Sequence, residues 1–401
     1  MLTTDFDIIV NGGGMAGITF ALLVSQQAIS RGEKPLRIAI IEASALNYGD
    51  HPGFDGRAIA LAAGSIDIYR RNRLWPRLAA YAEPISQIHV SDRGHLGQVT
   101  IQAKDYQRSA LGAVIELMHA GRELYQQLAV YPNISVFCPC RLAQIVTTQE
   151  AQQVILDDGR QLTARLLVGA DGGRSAVASE LHIDSQQLDY GQSAIIANVV
   201  SADLHQQRAF ERFTEHGPVA LLPMTEGRWS LVWCVPRAQQ QYWLTASESQ
   251  FLKGLQQAFG YRVGEFQRVG KREGYPLILT QRQQLIAHRC AVIGNAAHSL
   301  HPIAGQGFNL GIRDAALLAE QVCLQSDPGA MVHLLRYRQL RQSDITHTVG
   351  LTSALAFGFS SRDKISVIAR NMGLVMMQHC SFLKNKLVQQ TLGFVEHESL
   401  F

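Results

Sequence analysis

Three glycines near the N-terminus, Gly12, Gly14 and Gly17, follow the spacing G-x-G-x-x-G. The apolar run 7–10 before them predicts a buried parallel strand, and the apolar run 18–24 after them predicts a buried helix. In such a turn the first glycine permits a tight bend, the second lets a phosphate approach the backbone, and the third allows close helix packing. The helix N-terminus adds free N–H groups and partial positive charge, so the motif predicts a dinucleotide pyrophosphate site.

An acidic residue, Glu42, follows the next apolar run, 37–41. A carboxylate at the end of the second strand of such a unit accepts hydrogen bonds from ribose hydroxyls. Strand, glycine turn, helix, second strand and acid therefore occur in the order of a Rossmann-type unit.

Two further glycine motifs follow apolar runs later in the chain. The first is G-A-D-G-G-R-S at 169–175, and the second is G-N-A-A-H at 294–298, which continues as H-P-I-A-G-Q-G-F-N-L-G at 301–311. Together with the first glycine turn, these motifs resemble in order and spacing those of the group A flavoprotein monooxygenases, relatives of para-hydroxybenzoate hydroxylase. The resemblance covers most of the chain and implies that all three motifs surround one FAD.

This resemblance implies an α/β fold with a Rossmann-like FAD-binding domain, an interleaved β-sheet substrate domain and a helical C-terminal region. Short strand-like runs between 194 and 233 predict a mixed or antiparallel sheet above the flavin, and the segment 85–101 is predicted to join it. The predicted boundaries are 1–84, 102–180 and 285–330 for a discontinuous FAD-binding domain, 85–101 and 181–284 for the substrate domain, and 331–401 for the helical region.

The same resemblance assigns roles to individual residues. Arg57, in the segment 53–61, is a candidate contact for the pyrophosphate or the nicotinamide, and Asp171 is expected to organise the turn around the FAD phosphates. Asn295 replaces the acid usual in the family and keeps an acceptor without a charge. The residues predicted to bind FAD are Gly12, Gly14, Gly17, Glu42, Arg57, Asp171, Gly172, Asn295, Gly305, Gly307 and Asn309.

The segment 302–309 predicts a glycine-rich turn that opens a helix. Such a turn would place backbone N–H groups against the negative charge of reduced flavin. His95, His119 and Tyr190 are conceivable bases for a phenol, and nothing in the sequence selects among them. We predict the flavin-ring site at Pro302, Gly305, Gln306, Gly307, Phe308 and Asn309, without an assigned acid–base residue.

The segments 53–61, 90–95 and 210–214 are similar to those of the ubiquinone-biosynthesis hydroxylases, especially the enzymes that act on 2-polyprenyl-6-methoxyphenol. The resemblance implies that NAD(P)H reduces FAD, that O₂ gives a flavin C4a-hydroperoxide, and that this oxygen attacks a polyprenylated methoxyphenol. It also implies a protein complex of the same pathway as a partner. The alternatives are another ubiquinone-pathway or small-phenol hydroxylase, a halogenase, a prenyl-chain reductase, and a flavin-binding scaffold without turnover.

Composition restricts the class of protein further. The net charge of +3 argues against nucleic-acid binding, and the six cysteines lack zinc-site spacing, which predicts free thiols in a reducing compartment. His298 and His301 flank a turn, so we predict no metal site there. No signal-type or membrane-spanning run occurs, which predicts a cytoplasmic protein. From 331 to 401 there are eight Lys and Arg against four Asp and Glu, so this region packs on the core or, alternatively, attaches to the inner membrane surface.

Overall fold

The computed structural model describes residues 4–45, 57–324, 327–360 and 364–393. These residues form twenty β-strands arranged in three sheets. The strands are β1 (Phe6–Asn11), β2 (Ile38–Ile41), β3 (Ala58–Ala62), β4 (Ala82–Ile85), β5 (Gln87–Asp92), β6 (Gln98–Gln102), β7 (Gly112–Glu116), β8 (Ile134–Phe137), β9 (Leu142–Thr147), β10 (Gln152–Leu156), β11 (Gln161–Gly169), β12 (Ser185–Ser201), β13 (Arg208–Thr214), β14 (Gly217–Pro223), β15 (Trp229–Pro236), β16 (Phe266–Val269), β17 (Glu273–Arg282), β18 (Ile286–Ala287), β19 (Cys290–Val292) and β20 (His298–Ser299).

Eleven α-helices occur in the same described ranges, and three of them follow one another after residue 330. The helices are α1 (Met15–Ser30), α2 (Ala63–Arg71), α3 (Trp75–Ala79), α4 (Leu117–Leu128), α5 (Ala176–Glu180), α6 (Gln240–Thr245), α7 (Glu248–Phe259), α8 (Gln306–Val322), α9 (Met331–Ser360), α10 (Lys364–His379) and α11 (Ser381–Thr391).

The first sheet has the order β18-β19-β11-β1-β2-β8, with β9 and β10 attached beside β11. Its central strands β11, β1, β2 and β8 are parallel, and β1 is buried from Ile8 to Val10. The predicted buried strand, glycine turn, helix and second strand are therefore confirmed. β2 begins at Ile38, one residue after Arg37, whose backbone N–H donates to the Asp7 carboxylate at 2.7 Å.

The second sheet has the order β20-β17-β12-β15-β14-β13-β5-β6, with β16 paired to β12. It is mostly antiparallel, with a parallel pair between β13 and β5, so the predicted mixed sheet is present and includes β5 and β6. β20 also joins this sheet, although it lies in the segment predicted to belong to the FAD-binding domain. Trp229 and Trp233 are buried in the core between β15 and α7.

A three-stranded sheet with the order β3-β7-β4, absent from the sequence-based expectations, completes the strand layers. The region after residue 330 is helical, as predicted, through α11. α9 packs on α8, and α10 packs on β6 at the edge of the second sheet. In the ranges that the structure describes, no helix has the length and apolar character needed to cross a membrane. The helical region thus closes one side of the space between the sheets.

Candidate active site

The turn between β1 and α1 is held by close backbone packing at two glycines. Gly12 has a φ of 113°, and a Cβ at Gly17 would lie 2.0 Å from the Gly12 carbonyl oxygen. Both positions therefore require glycine, Gly12 for its backbone conformation and Gly17 for lack of space. A Cβ built on Gly14 would meet nothing within 4 Å, so the space in front of the α1 N-terminus is open. The turn offers the N-terminal N–H groups of α1 to an anionic ligand.

Glu42 lies at the carboxyl end of β2 and is buried against this turn. Its Oε2 accepts the Gly13 N–H at 2.7 Å, and its Oε1 accepts the Ser44 N–H at 2.7 Å. The Tyr125 hydroxyl, from α4, donates to the Gly13 carbonyl at 2.9 Å. Gly13 and Tyr125 are parts of the site that the spacing argument missed, because the contact joins residues that are far apart in the chain.

The Asp171 carboxylate ties α5 to the first sheet. Its Oδ2 accepts hydrogen bonds from Asn11 Nδ2 at 2.9 Å and from the backbone N–H of Ala176 at 2.7 Å. Its Oδ1 is buried and has no hydrogen-bond partner among the described residues. Gly172, with a φ of 83°, turns the chain beside it. The arrangement fixes the loop between β11 and α5 next to the glycine turn.

The motif at 294–298 is anchored by a buried carboxylate on α8. Asp314 Oδ2 accepts the Gly294 N–H at 3.0 Å and lies 2.6 Å from His298 Nε2. Both Asp314 and His298 are fully buried, whereas Asn295, which follows Gly294 in the motif, is exposed and lines the central cavity. This contact leaves Asn295 available to a ligand and commits His298 to a structural role.

Asp314 is also part of a buried network of charges between α8 and α9. Arg341 Nε donates to Asp314 Oδ1 at 2.7 Å, and Arg341 contacts Asp344, which accepts from Arg313 Nε at 2.8 Å. Burial alone would raise the pKa of Asp314, but His298 and Arg341 hold this pKa below its ordinary value. The network therefore fixes α9 against the helix that carries the predicted flavin-ring turn.

The segment 302–309 forms the N-terminus of α8. Gly305 has a φ of 60°, which a residue with a side chain adopts only with strain. The side-chain amide of Asn309 makes two hydrogen bonds to the backbone of β3. Its Oδ1 accepts the Ala62 N–H at 2.8 Å, and its Nδ2 donates to the Ala60 carbonyl at 2.9 Å. A Cβ at Gly307 would meet nothing within 4 Å. The α8 N-terminus therefore faces open space beside β3.

Three other members of the predicted ring site surround this turn. Pro302 precedes the short 3₁₀ turn Ile303–Gly305, and Phe308 packs against the core of the first sheet. Gln306 Nε2 donates to the Thr391 carbonyl at the end of α11, at 2.9 Å. The structure thus brings the predicted ring-site residues together and connects them to the C-terminal helices.

Arg57 lies at the mouth of the cavity, next to β3. Its guanidinium lies 5.1 Å from the centre of the Tyr275 ring, and its carbonyl accepts the Leu117 N–H at 2.8 Å. The predicted contact segment 53–61 is described only from Arg57 onward. A cation at this place suits an anionic group of a bound cofactor.

A cavity of about 380 Å³ lies between the sheets and the C-terminal helices. The α8 turn lines it together with Leu374 and Met377 of α10 and Leu387 of α11. Its walls are mainly apolar, with a few polar side chains. The polar side chains that line it are Arg57, Glu211, Asn295, Ser299, His301, Gln306, Asn309 and Thr391.

His301 is the buried imidazole of this lining. Its Nε2 lies 3.3 Å from Gln192 Oε1, and its ring meets the Tyr190 ring edge-on at 5.0 Å. Burial lowers the pKa of His301 to about 4, so the ring is neutral at neutral pH. Its Nδ1 is buried and has no hydrogen-bond partner in the part of the chain that the structure describes.

The three bases considered from the sequence lie elsewhere. His95 Nδ1 is 3.0 Å from Asp92 on the β5–β6 turn, and His119 stacks on Tyr81. Tyr190 packs behind His301 and shares a hydrogen bond of 3.1 Å with Ser353. None of them is a lining residue of the cavity as described.

Replacement of His301 by glutamine is expected to flatten the pH dependence of thermal stability between about pH 6.5 and 4. The unfolded chain binds this proton near 6.5 and the folded chain only near 4, so stability is lost as the pH falls through that window. Melting temperatures of wild type, His301→Gln and the exposed-site control His347→Gln would be compared across it. Between these pH values we expect the melting temperature of His301→Gln alone to fall by a few degrees less than that of wild type. An equal dependence of melting temperature on pH in all three proteins would contradict the lowered pKa of His301.

Comparison with known proteins places this geometry in a family. The FAD binding domain family matches residues 5–349. Ubiquinone hydroxylase UbiL of Rhodospirillum rubrum is 31% identical over 396 residues, covering 96% of this chain and 89% of that protein. The 3-demethoxyubiquinol 3-hydroxylase of Escherichia coli is 26% identical over 399 residues, covering 98% and 100%. The crystal structure of p-nitrophenol 4-monooxygenase PnpA from Pseudomonas putida has a TM-score of 0.79 at 17% identity, covering 98% of this chain and 99% of that one.

The fold is that of the FAD-binding monooxygenases, as the three motifs predicted. The chain belongs to the FAD binding domain family, and it is an FAD-dependent monooxygenase of the group A class. FAD is its cofactor, and NAD(P)H is the co-substrate typical of this family.

Proposed function

We propose that this enzyme hydroxylates the ring of a polyprenylated methoxyphenol in ubiquinone biosynthesis, using NAD(P)H and O₂. The observation that carries the proposal is the apolar cavity, which is lined by the α8 turn, by β3 and by helices α10 and α11. A phenol ring needs a few polar groups at one end, and a prenyl tail needs apolar walls beyond it. The relatives named as a ubiquinone hydroxylase and a 3-demethoxyubiquinol 3-hydroxylase support a substrate from ubiquinone biosynthesis.

FAD fits the residues around the cavity, because the structure is open where the cofactor must approach the backbone. No atom lies within 4 Å of a Cβ built on Gly14 or Gly307. We assign the adenosine and pyrophosphate part to the first glycine turn and Glu42, and the flavin part to the α8 turn. The proposed FAD-binding residues are Gly12, Gly14, Gly17, Glu42, Arg57, Asp171, Gly172, Asn295, Gly305, Gly307 and Asn309.

When bound and reduced, FAD supplies the activation of O₂ that a hydroxylation requires. The protein contributes the electrostatics and the enclosure. The N-terminus of α8 presents backbone N–H groups and a partial positive charge to the place where negative charge develops. Asn309 fixes that N-terminus against β3, and the apolar walls of the cavity exclude water from the reacting ring.

His301 is the side chain that we assign to the phenol hydroxyl. An amide oxygen only accepts hydrogen bonds, so the contact with Gln192 Oε1 places the hydrogen on His301 Nε2. Nδ1 then keeps its lone pair and, being buried, has an energetic reason to accept a hydrogen bond from the substrate. In this arrangement the neutral ring orients the phenol and weakens its O–H bond before attack.

The direct test is NAD(P)H oxidation by the purified yellow holoenzyme, with and without a short-chain 2-prenyl-6-methoxyphenol, with product identification by mass. We expect oxidation stimulated by the phenol and a product heavier by one oxygen atom. Bound FAD without stimulation or product would overturn the proposed substrate and favour a flavin-binding scaffold. Uncoupled oxidation without an oxygenated product would favour a different aromatic substrate.

The role of the apolar cavity wall can be tested separately at Met377. The Met377→Trp substitution adds bulk to the part of the cavity wall that α10 forms. We expect KM for a prenylated methoxyphenol to rise about ten-fold, the equivalent of ~1.4 kcal/mol, and KM for unprenylated methoxyphenol to stay unchanged. Ile368→Trp, at an exposed position of the same helix, is the matched control. Equal effects on both phenols would show that the tail does not contact this wall.

A further inference from the structure

We propose that three arginines on the outer face of the second sheet, Arg93, Arg212 and Arg262, bind the phosphate or diphosphate group of a small ligand. None of these residues, which we call the arginine cluster, lines the cavity assigned to the substrate. The inference does not depend on the proposed substrate, because it rests on the charges beside β5, β13 and the end of α7.

The arginine cluster lies on the side of the sheet away from the cavity. Glu211 and Phe213 of β13 line the cavity, whereas Arg212, between them in the strand, lies on the opposite face because side chains alternate. Its register partner Ser91 on β5 lies on the same outer face, and Arg212 Nη1 donates to Ser91 Oγ at 3.3 Å. A ligand bound to the cluster is therefore separated from the cavity by the sheet.

The Arg212 guanidinium is held in place, although the protein does not satisfy all of its donors. Its Nη2 lies at the C-terminal end of α7, where a Cβ built on Gly260 would be 3.9 Å away. Its Nε is buried and has no hydrogen-bond partner in the part of the chain that the structure describes. Arg212 as a whole is only partly buried, so an anion at the surface can approach its guanidinium and compensate its charge.

Two further positive charges act on Arg212. Arg93 directly follows β5, and its backbone N–H donates to the Phe213 carbonyl at 2.9 Å, one residue along from Arg212. Burial lowers the pKa of Arg212, and the charges of Arg262 and Arg93 lower this pKa further. Burial also lowers the pKa of His89 on the neighbouring strand, and the charge of Arg262 adds to that effect. The three guanidinium groups therefore repel one another.

The described residues offer no ion-pair partner to the arginine cluster. Asp92, whose charge reaches Arg212, is already bound to Arg370 Nε at 2.9 Å and to Asn371 Nδ2 at 2.9 Å. Guanidinium groups match the geometry of phosphate oxygens, and a phosphate ester carries a charge of about −1.5 to −2 at neutral pH. A ligand with more than one negative charge offsets the repulsion better than a carboxylate does, which favours phosphate chemistry.

The experiment is isothermal titration calorimetry of the FAD holoenzyme with inorganic phosphate and with pyrophosphate, at constant ionic strength. In the holoenzyme the cofactor fills its own pyrophosphate site. The test protein carries Arg262→Gln, and the matched control carries Arg77→Gln, so each loses one positive charge at an exposed position. We expect wild type and the control to bind pyrophosphate equally. We expect the test protein to bind it at least about ten-fold more weakly, because one of three charge-assisted contacts is lost.

Anaerobic reduction of the flavin by NAD(P)H distinguishes a separate site from that of the co-substrate. The Arg262→Gln protein is expected to keep the wild-type dependence of this rate on NAD(P)H concentration. A loss of NAD(P)H affinity parallel to the loss of pyrophosphate affinity would assign the arginines to the co-substrate and overturn a separate site. No saturable binding by wild type, an equal loss in Arg77→Gln, or equal binding of acetate would also overturn the inference. Tighter binding of pyrophosphate than of phosphate would support a diphosphate ligand, and the reverse order a single phosphate group.

Discussion

The substitution Gly14→Val is expected to abolish FAD binding while leaving the apoprotein folded. A Cβ at Gly14 meets no protein atom within 4 Å, and the backbone there is extended, with φ of −76°, so valine brings no strain. The side chain would instead fill the space that a pyrophosphate needs in front of α1. We expect FAD affinity to fall at least about 100-fold, or ~2.7 kcal/mol, as measured by flavin fluorescence on titration of the apoprotein.

The matched control for this substitution is Gly350→Val on α9. A Cβ at Gly350 also meets no atom within 4 Å, and this glycine lies away from the cavity lining. The control is expected to bind FAD as wild type does, and both apoproteins are expected to keep the far-ultraviolet dichroism of wild type. Retention of FAD by Gly14→Val would show that the cofactor does not approach this turn.

The second large effect is expected from Asp314→Asn, which removes one charge from the buried network between α8 and α9. Arg341 and Arg313 would then share the single carboxylate of Asp344, and His298 would lose its carboxylate partner. Breaking a buried ion pair costs about 3–5 kcal/mol, since the remaining charge stays desolvated. We expect the free energy of unfolding, measured by urea denaturation of the apoprotein, to fall by that amount.

Asp327→Asn provides the comparison, because Asp327 also pairs with an arginine but at the surface. Its side chain is 36% exposed and binds Arg289 at 3.0 Å through each oxygen. A pair of this kind contributes at most about 1 kcal/mol. A loss for Asp314→Asn no larger than that for Asp327→Asn would mean that the buried network is dispensable.

Local sequence patterns predicted those parts of the fold and site whose residues are close together in the chain. The spacing of Gly12, Gly14 and Gly17 between two apolar runs is a local signal, and the strand, turn and helix lie where it places them. The turn 302–309 is also local, and its glycines open the N-terminus of α8. Glu42 directly follows β2, so its place at the carboxyl end of a parallel strand could also be predicted from the local sequence.

The remaining parts depend on contacts between distant segments, which no local pattern records. His301 was not among the bases considered from the sequence, and only the fold shows that it lines the cavity. Gly13 is held by Tyr125, and Asp314 by Arg341, across long stretches of chain. The small sheet β3-β7-β4 was missed because its strands are short and separated by the inserted β5–β6 hairpin. These features follow from tertiary packing, which overrides local preference.

The pairing of β11 with β19 has a consequence for how such a protein changes over evolutionary time. Residues 169 and 292 are register partners in the first sheet, although all of β12 to β17 lies between them in sequence. The entropic cost of closing a loop grows only logarithmically with its length, by about 0.6 kcal/mol for each doubling. The segment between β11 and β19 can therefore change in length at a small entropic cost. Such an architecture can acquire a new specificity by exchanging one segment, while the strands that hold the cofactor keep their register.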